Sequence, residues 1–174
     1  MKRILTVISV LTAVLILFVS CGGGGGEIVL NPDDTEESSH GSNDVFSFSG
    51  GTNISLAPHD NLEGFIKAAG EPLSYEESNS CAYLGLDKVW TYSGYTIYSY
   101  PVNGVDYLLQ LVFTDDSVKT SEGISIGATE AEVRAAYGDG FETVGNAICY
   151  TRGNTVLQFG LKDGRVTSIV YNAA

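Results

Sequence analysis

The residues Gly123-Ile124-Ser125-Ile126-Gly127 match the G-x-S-x-G expression, in which a serine acts as a nucleophile. That motif requires a sharp strand-to-helix turn at the serine and an acid and a histidine later in the chain. Both histidines of this chain, His40 and His59, precede Ser125. The earlier stretch Ile54-Ser55-Leu56 also places a serine between apolar residues but lacks the glycines. We therefore expect Ser125 to be structural rather than catalytic.

The other reactive side chains form no catalytic or metal-binding pattern. The two histidines lie far from the cysteines, so their spacing does not match a zinc site. Asp115 and Asp116 are adjacent at the end of a predicted strand, where neighbouring side chains point in different directions. A polar turn therefore explains them better than a pair of catalytic carboxylates. We predict that the protein is not an enzyme and that it has no cofactor and no metal site.

The N-terminus has the features of an export signal. Two basic residues are followed by an uncharged, apolar run over residues 4–19, and Ser20 directly precedes Cys21. This arrangement resembles a bacterial lipoprotein signal with its lipobox. The resemblance implies that residues 1–20 are removed and that Cys21 carries a thioether-linked diacylglycerol. An uncleaved membrane anchor is the alternative. In either case we expect an exported protein held at the outer face of the cell membrane or at an outer membrane.

Residues 21–51 differ sharply in composition from the rest of the chain. A run of five glycines is followed by six acidic residues, with no Lys or Arg among them. Such a segment cannot bury enough apolar surface to offset the entropy lost on ordering, so we predict a flexible acidic tether. Phe46-Ser47-Phe48-Ser49 alternates and is followed by two glycines, so it is either a short edge strand or the end of the tether. Removing residues 1–20 takes away two bases and no acid and changes the net charge from −12 to −14. This acidity argues against binding to nucleic acid or to anionic lipid head groups.

The remaining chain contains two stretches with the same order of features. In each stretch an apolar lead precedes a capping box, a short amphipathic helix and a glycine that ends the helix. Strand-like segments separated by tight turns follow each helix. We therefore predict an α+β fold of two tandem units, residues 52–120 and 121–174, each with a short helix packed on an antiparallel β-meander. The capping pairs are Asp60 with Glu63 and Thr129 with Glu132, and the turns are Ser93-Gly94, Asn103-Gly104, Arg152-Gly153 and Asp163-Gly164.

The second stretch also carries a family pattern. It contains Ile124-Ser125-Ile126-Gly127, then Thr129 to Val133, then Tyr137-Gly138, and finally Gly164-Arg165-Val166. The pattern resembles the small-lipoprotein superfamily of the beta-lactamase inhibitor proteins. It is also similar to the small outer-membrane assembly lipoproteins of the SmpA/OmlA type. The first resemblance implies two tandem units that share a concave sheet gripping a protein partner. The second implies a single unit that binds other envelope proteins.

One predicted hairpin supplies the candidate residues for binding a partner. With a turn at Ser93-Gly94, one face of the hairpin carries Trp90, Tyr92, Tyr95 and Ile97. Alignment of Thr155, Leu157 and Phe159 with Thr96, Tyr98 and Tyr100 assigns the opposite face to the helices. We therefore expect the Trp90 face to be open, and exposed aromatic side chains on a rigid sheet are typical anchors of protein interfaces. The alternative is that this face packs against the other unit or the tether.

Two cysteines, Cys81 and Cys149, remain once Cys21 is lipidated. In an exported protein such a pair is a disulfide candidate, here one that joins the two units, and two buried free thiols are the alternative. Taken together, the sequence predicts a membrane-tethered, extracytoplasmic lipoprotein that binds another protein, in an inhibitor-like manner, or a wall component. A scaffold for envelope assembly is the alternative function.

Overall fold

One helix followed by four strands occurs twice along the chain. The structure is a computed structural model, and it describes residues 45–174. The elements are α1 (Glu63–Ala69), β1 (Ser74–Asn79), β2 (Leu86–Tyr92), β3 (Tyr95–Val102), β4 (Val105–Phe113), α2 (Glu130–Tyr137), β5 (Glu142–Val144), β6 (Ala147–Arg152), β7 (Thr155–Lys162) and β8 (Arg165–Ala173). The α+β class predicted from the sequence is confirmed. The predicted signal peptide, Cys21 and His40 lie outside the described residues.

The eight strands form one antiparallel sheet. Their order is β1-β2-β3-β4-β8-β7-β6-β5, so β4 and β8 lie at the centre and β1 and β5 at the edges. The central pairing is short, with residues 110–112 of β4 opposite residues 170–172 of β8. The first four strands and the last four strands are therefore halves of one sheet, joined through three residue pairs.

Two tight turns close the long hairpins. Asn103 and Gly104, between β3 and β4, have φ values of 50° and 83°, and Asp163 and Gly164, between β7 and β8, have values of 53° and 73°. Two successive residues with positive φ give a turn whose twist matches that of the flanking strands, and Asn-Gly and Asp-Gly adopt it most readily. The turns predicted at these two pairs are confirmed, and they set the register of both hairpins.

The two helices begin in different ways. At α2, Thr129 Oγ1 accepts a hydrogen bond from the backbone N–H of Glu132 (3.2 Å), and Glu132 Oε2 accepts one from the backbone N–H of Thr129 (2.7 Å). This capping box is confirmed. The box predicted from Asp60 and Glu63 is wrong, because α1 begins at Glu63 and its N-cap makes no side-chain hydrogen bond. The side chain of Asn61 accepts the hydrogen bond from the Glu63 N–H instead (2.8 Å).

Both helices cover the same face of the sheet, which we call the core face. Phe65 of α1 and Val133 of α2 are essentially fully buried there. Full burial of one such side chain stabilises the fold by about 1.5–3 kcal/mol. The side chains that line up across six strands of this face, in register, are Trp90, Ile97, Leu111, Tyr171, Leu157 and Tyr150.

The last residues of the predicted tether belong to the fold. Phe46 and Phe48 are 4% and 3% exposed and lie in the main core. Phe48 and Leu56 exchange two backbone hydrogen bonds (both 2.9 Å), and the Phe46 N–H donates to Thr155 Oγ1 (2.8 Å). The predicted boundary at residue 51 is therefore wrong. The two phenylalanines bury enough apolar surface to hold residues 45–51 on the sheet.

Among residues 45–174, the buried hydroxyl of Tyr171 lacks a hydrogen-bond partner, and this gives a stability prediction. Tyr171 is 1% exposed, and its hydroxyl has no hydrogen bond to any described residue. Burying an unsatisfied hydroxyl is costly, so we expect Tyr171→Phe to raise the free energy of unfolding by about 1 kcal/mol in urea titrations. The matched control is Tyr137→Phe, which removes a hydrogen bond to Glu122 and should lower stability. A loss of stability in Tyr171→Phe would contradict the assignment.

Candidate functional site

The aromatic residues predicted to stand on the open face are buried in the core. Trp90, Tyr92, Tyr95 and Ile97 are 8%, 7%, 4% and 0% exposed. The hairpin itself is correct, because Trp90 lies opposite Ile97 and Tyr92 lies opposite Tyr95. The assignment of its two faces to core and solvent is wrong.

The error is a slip of one residue in the alignment of the two halves. Across the sheet Ile97 lies opposite Leu111, Leu111 opposite Tyr171, and Tyr171 opposite Leu157. The counterpart of Leu157 is therefore Ile97 and not Tyr98. Because side chains alternate between the faces of a strand, a shift of one residue exchanges the faces completely.

The buried aromatic side chains hold the first half together. The Tyr92 and Tyr95 rings are stacked with centroids 5.1 Å apart, and the Tyr92 hydroxyl donates to the carbonyl of Gly70 at the end of α1 (3.3 Å). Burial raises the pKa of Tyr95 to about 12. These rings therefore act in packing, and they are not available as anchors for a partner.

The opposite side of the sheet, which we call the open face, carries neither helix. Its side chains follow from the strand register, since residues opposite each other point to the same side. One row is Glu76, Val89, Tyr98, Gln110, Asn172, Val156 and Thr151, and the next is Thr91, Thr96, Val112, Val170, Gln158, Cys149 and Glu142. These two rows therefore mix hydroxyl, amide and small apolar groups, with Tyr98 as their aromatic residue and Glu76 and Glu142 on the edge strands. Nearer the turn between β3 and β4, Tyr100 lies opposite Tyr107 on the same face.

A pair of amides marks the centre of the open face. Gln110 Nε2 donates to Asn172 Oδ1 (2.7 Å) across the junction of β4 and β8. Beyond it, towards β6, Val156 and Cys149 are deeply buried and form a small apolar cluster with Ala147. The face thus has a polar centre and an apolar patch on one side.

An aromatic cluster lies where β3 and β4 approach their turn. The Tyr100 ring is 5.0 Å from that of Tyr83 and 5.9 Å from that of Tyr107. The Tyr100 hydroxyl lies 2.9 Å from Nδ1 of His59. Sequence reasoning missed this cluster because Tyr83 and His59 come from loops. The tyrosines at 98, 100 and 107 were visible in the sequence, but the slipped alignment placed the first two under the helices.

His59 holds an unusual backbone conformation in this cluster. Its φ is 73°, in the left-handed region that side chains other than glycine rarely adopt. Its backbone N–H donates to the carbonyl of Leu108 (2.8 Å), which ties the start of α1 to β4. Desolvation lowers the pKa of the His59 imidazole, and the nearby charge of Asp60 opposes that shift.

Ser125 and Asp115, which the sequence analysis considered for catalysis, each make a local hydrogen bond of their own. Ser125 lies in the loop between β4 and α2, and its carbonyl accepts a hydrogen bond from the Ala128 N–H (3.2 Å). Asp115 accepts a hydrogen bond from the Ser117 N–H (2.8 Å). Hydrogen bonding from the Ser117 side chain, and then from its backbone, lowers the pKa of the Asp115 carboxyl group. Within residues 45–174, no group of three or more His, Cys, Asp or Glu is placed to hold a metal ion.

The predicted disulfide between Cys81 and Cys149 does not form. Cys81 is a free, exposed cysteine in the loop between β1 and β2, whereas Cys149 is buried on β6. Five strand spacings separate β2 from β6 in the sheet order. At about 4.8 Å each they amount to about 24 Å, whereas disulfide-bonded cysteines have Cα atoms less than about 7 Å apart.

Comparison with known proteins identifies no family for this chain. No family model and no curated protein matches the chain. Among solved structures, the chain is similar to an extracellular protein containing an SCP domain from Bacillus anthracis str. Ames, with 14% sequence identity and a TM-score of 0.40. The match covers 84% of this chain and 50% of that one. A likeness this remote carries no argument. Of the helices that the structure describes, none has the length and apolar character to cross a membrane.

The face assignment gives a second prediction. Trp90→Ala should lower the free energy of unfolding by about 3–5 kcal/mol, because it leaves a cavity in the core. Tyr98→Ala, on the other face of the same hairpin, should cost about 1 kcal/mol or less. Thermal and urea unfolding of both variants measure the difference. Equal losses would show that the two faces of the hairpin are equally buried.

Proposed function

We propose that this protein is a membrane-tethered, extracytoplasmic lipoprotein that binds another protein through the open face, without enzymatic activity. The observation that carries the proposal is the division of the sheet. Both helices and residues 46–48 pack on the core face, while the open face of the eight-stranded sheet carries neither helix. Among residues 45–174, the buried cluster that packs on this face is the small apolar one near β6.

The shape and composition of the open face favour a protein as the partner. Eight strands about 4.8 Å apart make a face on the order of 35 Å across. Such a face is similar in scale to the roughly 800 Å² that one partner contributes to a specific interface. Its tyrosines, Tyr98, Tyr100 and Tyr107, lie on β3 and β4, to one side of the amide pair at Gln110 and Asn172. Tyrosine is enriched among the residues that dominate binding energy, because it combines a large ring with a hydrogen-bonding group.

We also propose that the fold consists of two tandem units of the inhibitor-like kind. In support, the segment before each helix pairs in the same way with the last strand of its own half. The three hydrogen bonds in the first half are His59 N to Leu108 O, Leu108 N to Asp60 O and Leu62 N to Asp106 O, and those in the second are Gly127 N to Val166 O, Val166 N to Ala128 O and Glu130 N to Gly164 O.

This correspondence also accounts for the conformation of His59. In the paired segments His59 takes the place of Gly127, and both have positive φ, 73° and 90°. Glycine adopts that conformation without strain, whereas histidine does so at a cost. The sequence of the first unit departs from the pattern at this position, but its backbone does not.

The open face gives the test of the proposed function. We expect the double variant Tyr98→Ala/Tyr107→Ala to lose the proteins that the wild type captures by cross-linking in its native envelope, with nearly unchanged thermal stability. The control is Lys119→Ala, an exposed position in the loop between β4 and α2, which should capture the same proteins as the wild type. Mass spectrometry compares the three. Retention of the same set by the double variant would argue against the open face as the binding surface.

The tether gives a separate test. Cys21 lies outside the described residues, so its proposed lipidation depends on the signal sequence alone. We expect the wild type to incorporate labelled palmitate and to partition into detergent, and Cys21→Ser to do neither. Cys81→Ser is the matched control, because it removes an exposed thiol and should leave labelling unchanged. Labelling of Cys21→Ser would rule out this site of attachment.

A further inference from the structure

The edge strand β1 is unusual because it buries none of its side chains. All six residues from Ser74 to Asn79 are exposed, yet every one is paired in register with β2. Its outer side pairs with no described strand. We propose that β1 accepts an extended segment of another protein, rich in Lys or Arg, as a ninth strand of the sheet.

The two edges of the sheet are not equivalent. β5 is three residues long and therefore offers little backbone to an added strand. β1 is twice as long, and short edge strands are one device by which proteins prevent unwanted pairing. A strand edge presents a row of unpaired N–H and C=O groups, and peptides are often recognised by adding a strand to such an edge. The available edge is therefore that of β1.

Charge indicates the chemistry of the added segment. Glu76 and Glu77 lie in the middle of β1, and Glu71 precedes it. None of the three takes part in an ion pair with a described residue. The nearby cation Lys88 is held by Asp106 (2.8 Å). A segment paired with β1 thus meets negative charge on both faces of the strand, since Glu76 and Glu77 point to opposite sides. Glu77 lies opposite Lys88 and accepts a hydrogen bond from the Tyr75 hydroxyl (2.9 Å), so Glu76 carries the less compensated of the two charges.

The same charges argue against two other occupants. If β1 of a second copy paired antiparallel with this strand about its centre, Glu76 would lie opposite Glu77 of that copy. Like charges directly opposite each other destabilise a strand pair. The chain's own residues 21–44 contain six acidic residues and no Lys or Arg, so they are repelled as well.

Apolar side chains beside the glutamates provide the remaining contacts. Leu73 is 75% exposed and Tyr75 is 46% exposed, although the Tyr75 ring lies 5.6 Å from that of Trp90. An added strand would cover part of both side chains. The proposal is independent of the open-face proposal, because it uses the backbone edge and not Tyr98 or Tyr107.

The test uses the mature chain in detergent and two synthetic nine-residue peptides, one repeating Lys-Lys-Thr and one repeating Glu-Glu-Thr, so that each presents charge on both faces of an added strand. We expect the lysine peptide to bind, to slow amide hydrogen exchange in residues 73–79, and to weaken as salt is raised. The glutamate peptide should not bind. Binding of both peptides equally, or of the lysine peptide without protection of residues 73–79, would overturn the proposal.

Two charge-reversal variants separate strand addition from general attraction between opposite charges. Glu76→Lys/Glu77→Lys should weaken binding of the lysine peptide about fourfold or more, since each reversal replaces an attraction between exposed charges with a repulsion. Asp139→Lys/Glu142→Lys makes the same change in net charge at the opposite edge of the sheet, next to β5, and should weaken binding less than twofold. Glu76→Gln/Glu77→Gln should give an intermediate loss. Equal weakening by both reversal variants would mean that β1 has no special part in binding.

Discussion

The pairing of β4 with β8 is the contact on which the rest of the structure depends. It consists of three residue pairs at the centre of the sheet, and it places Leu111 beside Tyr171 on the core face. Each half alone would expose a strand edge there, together with the apolar side chains that meet across it. Phe48 packs across the same junction, with its ring 5.1 Å from Phe113 of one half and 6.2 Å from Tyr171 of the other. Phe48, which precedes α1, thus stabilises the junction of β4 and β8 on the core face.

The difference in composition between the core face and the open face follows from this junction. Because both helices lie on one side, the large apolar and aromatic side chains collect there and form one continuous core. The other side keeps hydroxyl, amide and small apolar groups that tolerate water, with Gln110 and Asn172 bonded at the centre. The proposed protein binding uses the open face and the outer edge of β1, which lie outside the main core.

Much of the fold was predictable because its signals are local. The Asn103-Gly104 and Asp163-Gly164 turns and the capping box at Thr129 each involve residues within a few positions of one another. The edge strand β1 was not predicted, since Ser74–Asn79 is polar throughout and has no alternation of apolar residues. It forms because β2 offers a complete row of backbone partners. The capping box predicted for α1 was wrong for a related reason. The chain pairs with β4 at His59 and Asp60 before the helix begins.

The sequence by itself predicted the export signal, and it determined the acidic composition of the N-terminal segment, the α+β class, much of the order of helices and strands, and the fact that Trp90, Tyr92, Tyr95 and Ile97 share one face. All of these follow from composition and short-range periodicity. Only the tertiary structure decided which face is buried, where Phe46 and Phe48 pack, and how far Cys81 lies from Cys149. The register between β4 and β8 settles the first of these, and it joins residues about 60 positions apart in the chain. A one-residue difference there exchanges core and surface, and no local pattern in the sequence fixes it.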